Sequence, residues 1–163
     1  VPFLRPKDLA TDFSDTQSVI LHALQFYKSK NYIPDIVVLL QPTSPFRNEI
    51  HIMEACALFN FNIDMVVSVK ETKSNPYYLL FEEDEDGFLQ KSKLGKFVRR
   101  QDCPKVWEYN GAIYIINVNS VLEKKIGGFS KVVKYEMNDF YSHDIDTPHD
   151  WAFAESLIKH IKK

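Results

Sequence analysis

The sequence predicts an α/β fold with a mostly parallel sheet and a β-hairpin insertion, and three observations lead to that prediction. Two apolar, β-branched runs, at 35–40 and 65–69, are typical of parallel strands buried on both faces. A helical pattern of apolar residues lies between them, so the three elements form a βαβ unit. The acidic segment EEDEDG, at 82–87, then separates two short apolar runs, as in a hairpin outside the main sheet.

The remaining elements follow from periodicity and turn residues. A first helix is expected at 14–30, where apolar residues recur at helical spacing and Asp12 or Ser14 can serve as the N-cap. Later strands are expected at 106–116 and 132–137. The final helix should begin at the pair Thr147-Pro148. Its apolar face is expected to be buried and consists of Trp151, Ala154, Ile158 and Ile161.

Composition limits the class of protein. A chain of 163 residues, 45% hydrophobic and 26% charged, is expected to form one domain over 1–163. The net charge of -2 gives no reason to expect nucleic-acid binding, and no apolar run approaches the roughly 18 residues of a membrane span. Cys56 and Cys103 lack a paired metal-binding spacing, so we expect a protein of the reducing cytoplasm, without a membrane anchor.

A polar segment follows the first strand and is the first candidate site. The sequence LLQPTSPFR, at 39–47, places Gln41, Thr43 and Ser44 where an α/β sheet binds ligands, at the carboxyl end of a strand. Two prolines stiffen this turn and remove two backbone donors. The alternative is a rigid connection in which Ser44 or Asn48 is only the N-cap of the next helix.

The acidic triplet Asp144-Ile145-Asp146 is the second candidate. In an extended segment side chains alternate, so both carboxylates would project to one face. Such a pair suits Mg²⁺, which takes one or two protein carboxylates and completes its shell with phosphate and water. The alternative is that Asp146 caps the last helix and that Asp144 is merely exposed.

Two further segments offer binding groups. If the segment of Arg99 and Arg100 is extended, one arginine can form a bidentate pair with a carboxylate or phosphate while the other faces solvent. In the predicted strand, Gly111 allows a close approach to the backbone, and Asn110 and Tyr114 offer hydrogen bonds. The alternatives are an ordinary surface arginine and a bulge with a packed tyrosine.

Five motifs in this order, QPTSPFR, NPYYLLFEED, RRQDCP, YNGAIY and DID, resemble the acylneuraminate cytidylyltransferase family along the whole chain. The resemblance implies a Rossmann-like nucleotidyltransferase fold. It also implies a reaction in which the anomeric hydroxyl of a 2-keto-3-deoxy sugar acid attacks the α-phosphate of CTP, pyrophosphate leaves, and Mg²⁺ is required.

The resemblance also implies roles for single residues. The residues that are similar to those contacting the sugar acid are Gln41, which lies in the QPTSP segment with Thr43 and Ser44, and Arg100, Asn110 and Tyr114. Asp144 and Asp146 match the metal-binding aspartates of the family, and Arg5 and Thr16 correspond to positions near the nucleotide. We count Asp144, Asp146 and Arg100 as the catalytic residues.

The hairpin region, about 73–102, resembles the dimerisation insertion of the family, so a homodimer is expected, with residues of one subunit reaching the pocket of the other. Family members carry an N-terminal strand and a Gly-rich phosphate loop that have no counterpart here, so we expect an N-terminally truncated sequence. Tyr78 and Glu108 replace basic pocket residues of some members, which leaves room for a legionaminic- or pseudaminic-type acid.

Two other functions remain open from the sequence. A metal-dependent glycosyltransferase also uses a D-x-D motif to hold the metal of its nucleotide. Alternatively, the chain is a dimerising domain without turnover, because the phosphate loop is missing.

Overall fold

The computed structural model describes residues 2–11 and 13–161, and side chains as far as 159. The helices are α1 Thr16–Ser29, α2 Glu49–Ala57, α3 Val118–Glu123 and α4 Pro148–Ile161. The strands are β1 Ile36–Leu39, β2 Met65–Glu71, β3 Phe81–Glu83, β4 Leu89–Lys91, β5 Trp107–Asn117 and β6 Val132–Glu136. Short 3₁₀ turns join them at Lys7–Leu9, Arg100–Asp102, Ile126–Gly128 and Asp139–Ser142.

The main sheet has the strand order β1-β5-β2-β6. β5 is antiparallel to both of its neighbours, and only β2 and β6 form a parallel pair. The prediction of a mostly parallel sheet is therefore wrong for the strand pairing, although β1, β2 and β6 all run in one direction. The reason is that β5, which comes later in the sequence, inserts between β1 and β2. Periodicity shows that a strand is buried on both faces but not which strand it pairs with.

Helices cover both faces of this sheet, which explains the continuous apolar runs. On one face, Met65 and Val67 of β2 pack with Ile20 and Leu24 of α1. On the other, Val66 packs with Ala55 of α2 and with alternate residues of β5 and β6. The structure thus has a mixed α/β architecture in three layers.

The helix starts are set by side-chain caps. Asp15 caps α1 by accepting a hydrogen bond from the Ser18 amide, one residue beyond the predicted Ser14, and Asp12 lies outside the described residues. Asn48 caps α2, as expected if the segment after the first strand is a rigid connection to this helix. His51 completes a capping box there. The α4 start is confirmed, because the Asp150 amide donates to Thr147 Oγ1 at 3.3 Å.

β3 and β4 form a separate two-stranded sheet, which confirms a hairpin outside the main sheet. Its acidic tip is closed by Asp84, which accepts hydrogen bonds from the Asp86 and Phe88 amides. β3 begins only at Phe81, because residues 76–79 form turns.

The burial prediction for α4 is wrong apart from Ala154. Trp151 and Ile158 are exposed, and the side chain of Ile161 lies outside the described residues. No helix among the described residues combines the length and the apolar character that a membrane crossing requires.

Candidate functional site

The turn that follows β1 is stabilised by an arginine that bonds to its backbone carbonyls. The Arg47 guanidinium donates to the backbone carbonyls of Gln41 and Ser44, the latter at 2.8 Å. Two prolines leave the turn short of donors, and Arg47 supplies a donor to both of these carbonyls. Burial lowers the pKa of Arg47 from its ordinary value. Because the charged guanidinium of Arg47 bonds to both carbonyls, it fixes the backbone position from which the Gln41 side chain extends.

Three side-chain oxygens, two from the turn and one from the segment of Asp144, converge on Gly111 of β5. A Cβ atom placed on this glycine would lie 3.3 Å from Asp144 Oδ2 and 3.4 Å from both Gln41 Oε1 and Ser44 Oγ. Gly111 has φ +74°, in the region that favours glycine. We call Gln41, Ser44, Gly111 and Asp144 the Gly111 cluster.

The Asp144 segment is joined to the turn by its backbone. The Ile145 amide donates to the Thr43 carbonyl at 2.9 Å, and Ser44 Oγ lies 3.5 Å from Asp144 Oδ1. Thr43 therefore contributes to the site through its backbone carbonyl. Asp146 is exposed, and its amide donates to the Asp150 carboxylate at the start of α4. Its own carboxylate makes no hydrogen bond within the described residues.

A cleft of about 680 Å³ opens beside the cluster, on the α1 face of the sheet. Thr16 at the first position of α1, Gln41 and Tyr114 all line it, so three residues predicted from separate motifs share one cavity. Burial, together with nearby Tyr109 and Asp144, raises the pKa of the Tyr114 phenol. Tyr114 therefore stays a neutral hydrogen-bond donor at physiological pH. Lys125 adds a positive charge to the cleft wall.

Asn110 lies next to the cluster but faces away from the cleft. It is 4% exposed, and its Oδ1 accepts from Ser68 Oγ at 2.6 Å while its Nδ2 donates to Ser142 Oγ at 2.9 Å. Its side chain is therefore engaged within the protein. Only its backbone carbonyl faces the cluster, 3.4 Å from Ser44 Oγ.

The two predicted arginines lie elsewhere. Arg5 is exposed and does not line the cleft. Arg100 is exposed beside the end of β2, in depressions lined by Glu71 and Thr72. The segment is not extended, because Arg100–Asp102 forms a 3₁₀ turn, and Arg99 donates to both oxygens of the nearby Asp102, each at 2.9 Å.

Sequence reasoning missed three residues that shape the site, namely Arg47, Ser68 and Ser142. Arg47 had a signal, because a turn with two prolines leaves carbonyls that need a donor. Ser68 had a weaker one, since it is the single hydroxyl in the apolar part of β2 and is fully buried. No signal in the sequence pointed to Ser142, because its partner Asn110 is distant in sequence.

Comparison with curated proteins gives relatives along nearly the whole chain. A CMP-N,N'-diacetyllegionaminic acid synthase of Legionella pneumophila is 34% identical over 98% of this chain and 69% of its own length. An N-acylneuraminate cytidylyltransferase of Streptococcus agalactiae is 32% identical over 91% of this chain, but the match covers only 35% of that protein. A pseudaminic acid cytidylyltransferase of Campylobacter jejuni is 27% identical over 97% of this chain and 68% of its own length.

No protein-family model matches the chain. The Legionella relative, however, exceeds 30% identity with more than two thirds of its length matched. Its likeness includes the segments that meet at the Gly111 cluster, because the match spans nearly all of this sequence. On these grounds the chain belongs to the acylneuraminate cytidylyltransferase family.

Proposed function

We propose that this chain carries the acceptor-binding and metal-binding part of an enzyme that transfers CMP from CTP to a nonulosonic acid. The anomeric oxygen of the acid attacks the α-phosphorus of CTP and loses its proton. The bond from that phosphorus to the bridging oxygen breaks, and pyrophosphate leaves. The names of the relatives, which include legionaminic and pseudaminic acid enzymes, support this class of acceptor.

The observation that carries this proposal is the convergence of Gln41, Ser44 and Asp144 on Gly111 at the edge of the cleft. An amide oxygen, a hydroxyl and a carboxylate that meet at one point are suited to a polyhydroxylated ligand and a cation. The cleft volume lies within the range of small-molecule sites, roughly 300–1,000 Å³.

The cleft residues supply binding and orientation. The Gln41 amide can both donate to and accept from sugar hydroxyls, and the neutral Tyr114 phenol donates. Thr16 lines the cleft at the first position of α1, and its hydroxyl can contact the nucleotide. The side-chain amide of Asn110 is hydrogen-bonded within the protein, so Asn110 contributes to the site by fixing the position of Gly111.

The two aspartates fit Mg²⁺ in number and chemistry. Among the described residues there is no group of three or more His, Cys, Asp and Glu side chains that could hold a metal. A pair of carboxylates is what Mg²⁺ takes when phosphate and water complete its shell. Asp144 and Asp146 would hold the ion, which when bound neutralises charge on the phosphates of CTP.

Arg100 is proposed to act across a homodimer. Its neighbour Arg99 is paired with Asp102, whereas Arg100 is exposed and does not line the cleft of its own chain. A guanidinium carried beside the hairpin can reach the site of a second copy and bind the carboxylate of the acid bidentately. The relatives' names say nothing about assembly, so the dimer rests on the exposed hairpin.

We also propose that the protein works in the cytoplasm. Cys56 and Cys103 are free thiols in the structure, which fits a reducing compartment.

The test uses the complete protein with CTP, Mg²⁺ and three acceptors: N-acetylneuraminate, N,N'-diacetyllegionaminate and pseudaminate. We expect pyrophosphate release with at least one of them, and a product whose mass is that of the CMP-linked acid. No release with any acceptor, or release of UDP from UDP-sugars instead, would refute the proposal in favour of a glycosyltransferase.

Asp146→Asn tests the metal role in the same assay. We expect kcat to fall about a hundredfold or more, the loss typical of a missing electrostatic contact in a transition state. Thermal stability should not change, because the Asp146 carboxylate is exposed. Asp86→Asn at the hairpin tip is the matched control. Equal turnover of the two variants would remove Asp146 from the metal site.

A further inference from the structure

The Gly111 cluster rests on a buried network of hydroxyl and amide groups. Ser68 of β2 is fully buried, and its Oγ lies 2.6 Å from Asn110 Oδ1 and accepts from the Ile113 amide at 2.7 Å. Asn110 Oδ1 also accepts from the Ala112 amide at 3.2 Å. One serine thus bonds to the Asn110 side chain and to the Ile113 backbone, on either side of Gly111.

This network fills a gap in the sheet. Val67 pairs with Tyr114 and Val69 with Tyr109, so four residues of β5, at 110–113, lie opposite Ser68 alone. Extra residues on one strand lose the regular ladder of hydrogen bonds and bend the strand. The Ser68 hydroxyl replaces a missing backbone partner, and without it the buried Ile113 amide would be left unsatisfied.

The network continues to the segment that carries the carboxylates. Ser142 is 1% exposed and lies two residues before Asp144. Its Oγ accepts from Asn110 Nδ2 at 2.9 Å and donates to the Asn138 carbonyl at 2.9 Å. The Asn110 carbonyl lies within reach of Ser44, in the turn. Asn110 therefore contacts the turn through its backbone carbonyl and the segment before Asp144 through its side chain.

We propose that Ser68 and Ser142 are positioning residues, which act through Asn110 to set the spacing between the Asp144 carboxylate and the Gln41 turn. The inference rests on the proposed function for its kinetic consequence. Both serines are buried and neither lines the cleft, so they act on it through other residues. A shift of about 1 Å in a reacting constellation can cost about a hundredfold in rate, so a remote hydroxyl can control turnover.

Ser68→Ala in the complete protein tests the inference, with Ser120→Ala as its matched control. Ser120 is also a buried serine, and its hydroxyl donates to Asp64 Oδ1 at 2.7 Å, away from the cleft. Both variants lose a buried hydroxyl and should lower the melting temperature. We expect kcat for pyrophosphate release to fall about tenfold or more in Ser68→Ala, with KM for CTP unchanged, and to stay within about twofold of wild type in Ser120→Ala.

Equal kcat values of the two variants would overturn the inference, because the loss would then reflect stability alone. If Ser68→Ala does not fold, Ser142→Ala is judged by the same criterion. A second readout does not need turnover. The amide resonances of Gly111 and Asp144 should shift in Ser68→Ala and not in Ser120→Ala. Unchanged resonances would refute the positioning role, whereas a wild type without pyrophosphate release would refute only the proposed function.

Discussion

Gly111 shows how a single residue can be required for two separate physical reasons. Its φ of +74° is costly for any residue with a Cβ, and the space beside its Cα is occupied by three side-chain oxygens. Gly87, at the hairpin tip, has φ +84°, but no atom lies within 4 Å of the place that a methyl group would take there. A comparison of the two glycines therefore distinguishes the effect of backbone strain from the effect of crowding at the site.

Gly111→Ala should lower both stability and turnover, and Gly87→Ala should lower stability alone. The strain of a positive φ costs about 1–2 kcal/mol, so we expect a similar loss in both variants. Only the alanine at 111 also displaces Asp144 and Gln41. Urea unfolding and steady-state kinetics on the two variants measure these effects. Normal kcat in Gly111→Ala would contradict a catalytic site at the Gly111 cluster.

At the scale of elements, Asp64 ties the start of β2 to α3 and to the loop before β6. Its carboxylate accepts from Ser120, from the Lys124 ammonium and from the amides of Ser130 and Lys131. These bonds, the Lys131 amide foremost, hold the pKa of Asp64 far below its ordinary value. Three elements thus depend on one ionised carboxylate.

This lowered pKa predicts a pH dependence of stability. A carboxylate whose folded pKa is depressed stabilises the fold above its unfolded pKa of about 3.9, and that stability is lost as the pH falls toward the folded pKa. We expect Asp64→Asn to lower the urea midpoint at pH 7, and the difference from wild type to shrink below about pH 4. Asp86→Asn should behave as wild type. A pH-independent difference would contradict the prediction.

The order of strands is also decided between elements. The bounds of β2, β5 and β6 lie close to those expected from apolar runs, because strand formation follows local pattern. The pairing of β5 between β1 and β2 depends on contacts between residues distant in sequence. The same limit explains α4, whose predicted apolar face the structure leaves exposed at Trp151 and Ile158.

At the scale of the whole molecule, the hairpin region presents a large apolar surface. Phe88, Leu89, Leu94 and Val98 are between 66% and 88% exposed. Apolar groups clustered on an insertion outside the main sheet are typical of an interaction surface. A second copy of this chain is the partner we propose, because Arg100 lies beside the same region and has no role in its own cleft.

Leu89→Glu should convert a dimer of the complete protein into monomers, since a charge in an apolar interface is costly to desolvate. Met53→Glu is the control, because Met53 is 70% exposed on α2, away from the hairpin. Sedimentation equilibrium at several concentrations measures the association. A wild-type monomer, or a Leu89→Glu dimer, would rule out the hairpin as the interface.

The sequence by itself determined most of the helices and strands, although not α3, and it placed Gln41 and Ser44 directly after a strand. Both depend on periodicity and on turn residues within a few positions. Tertiary structure alone decided that β5 inserts between β1 and β2, that Asn110 turns inward and that Arg100 lies apart. Each of these outcomes depends on partners far along the chain, such as Ser142 for Asn110, and local pattern does not contain them.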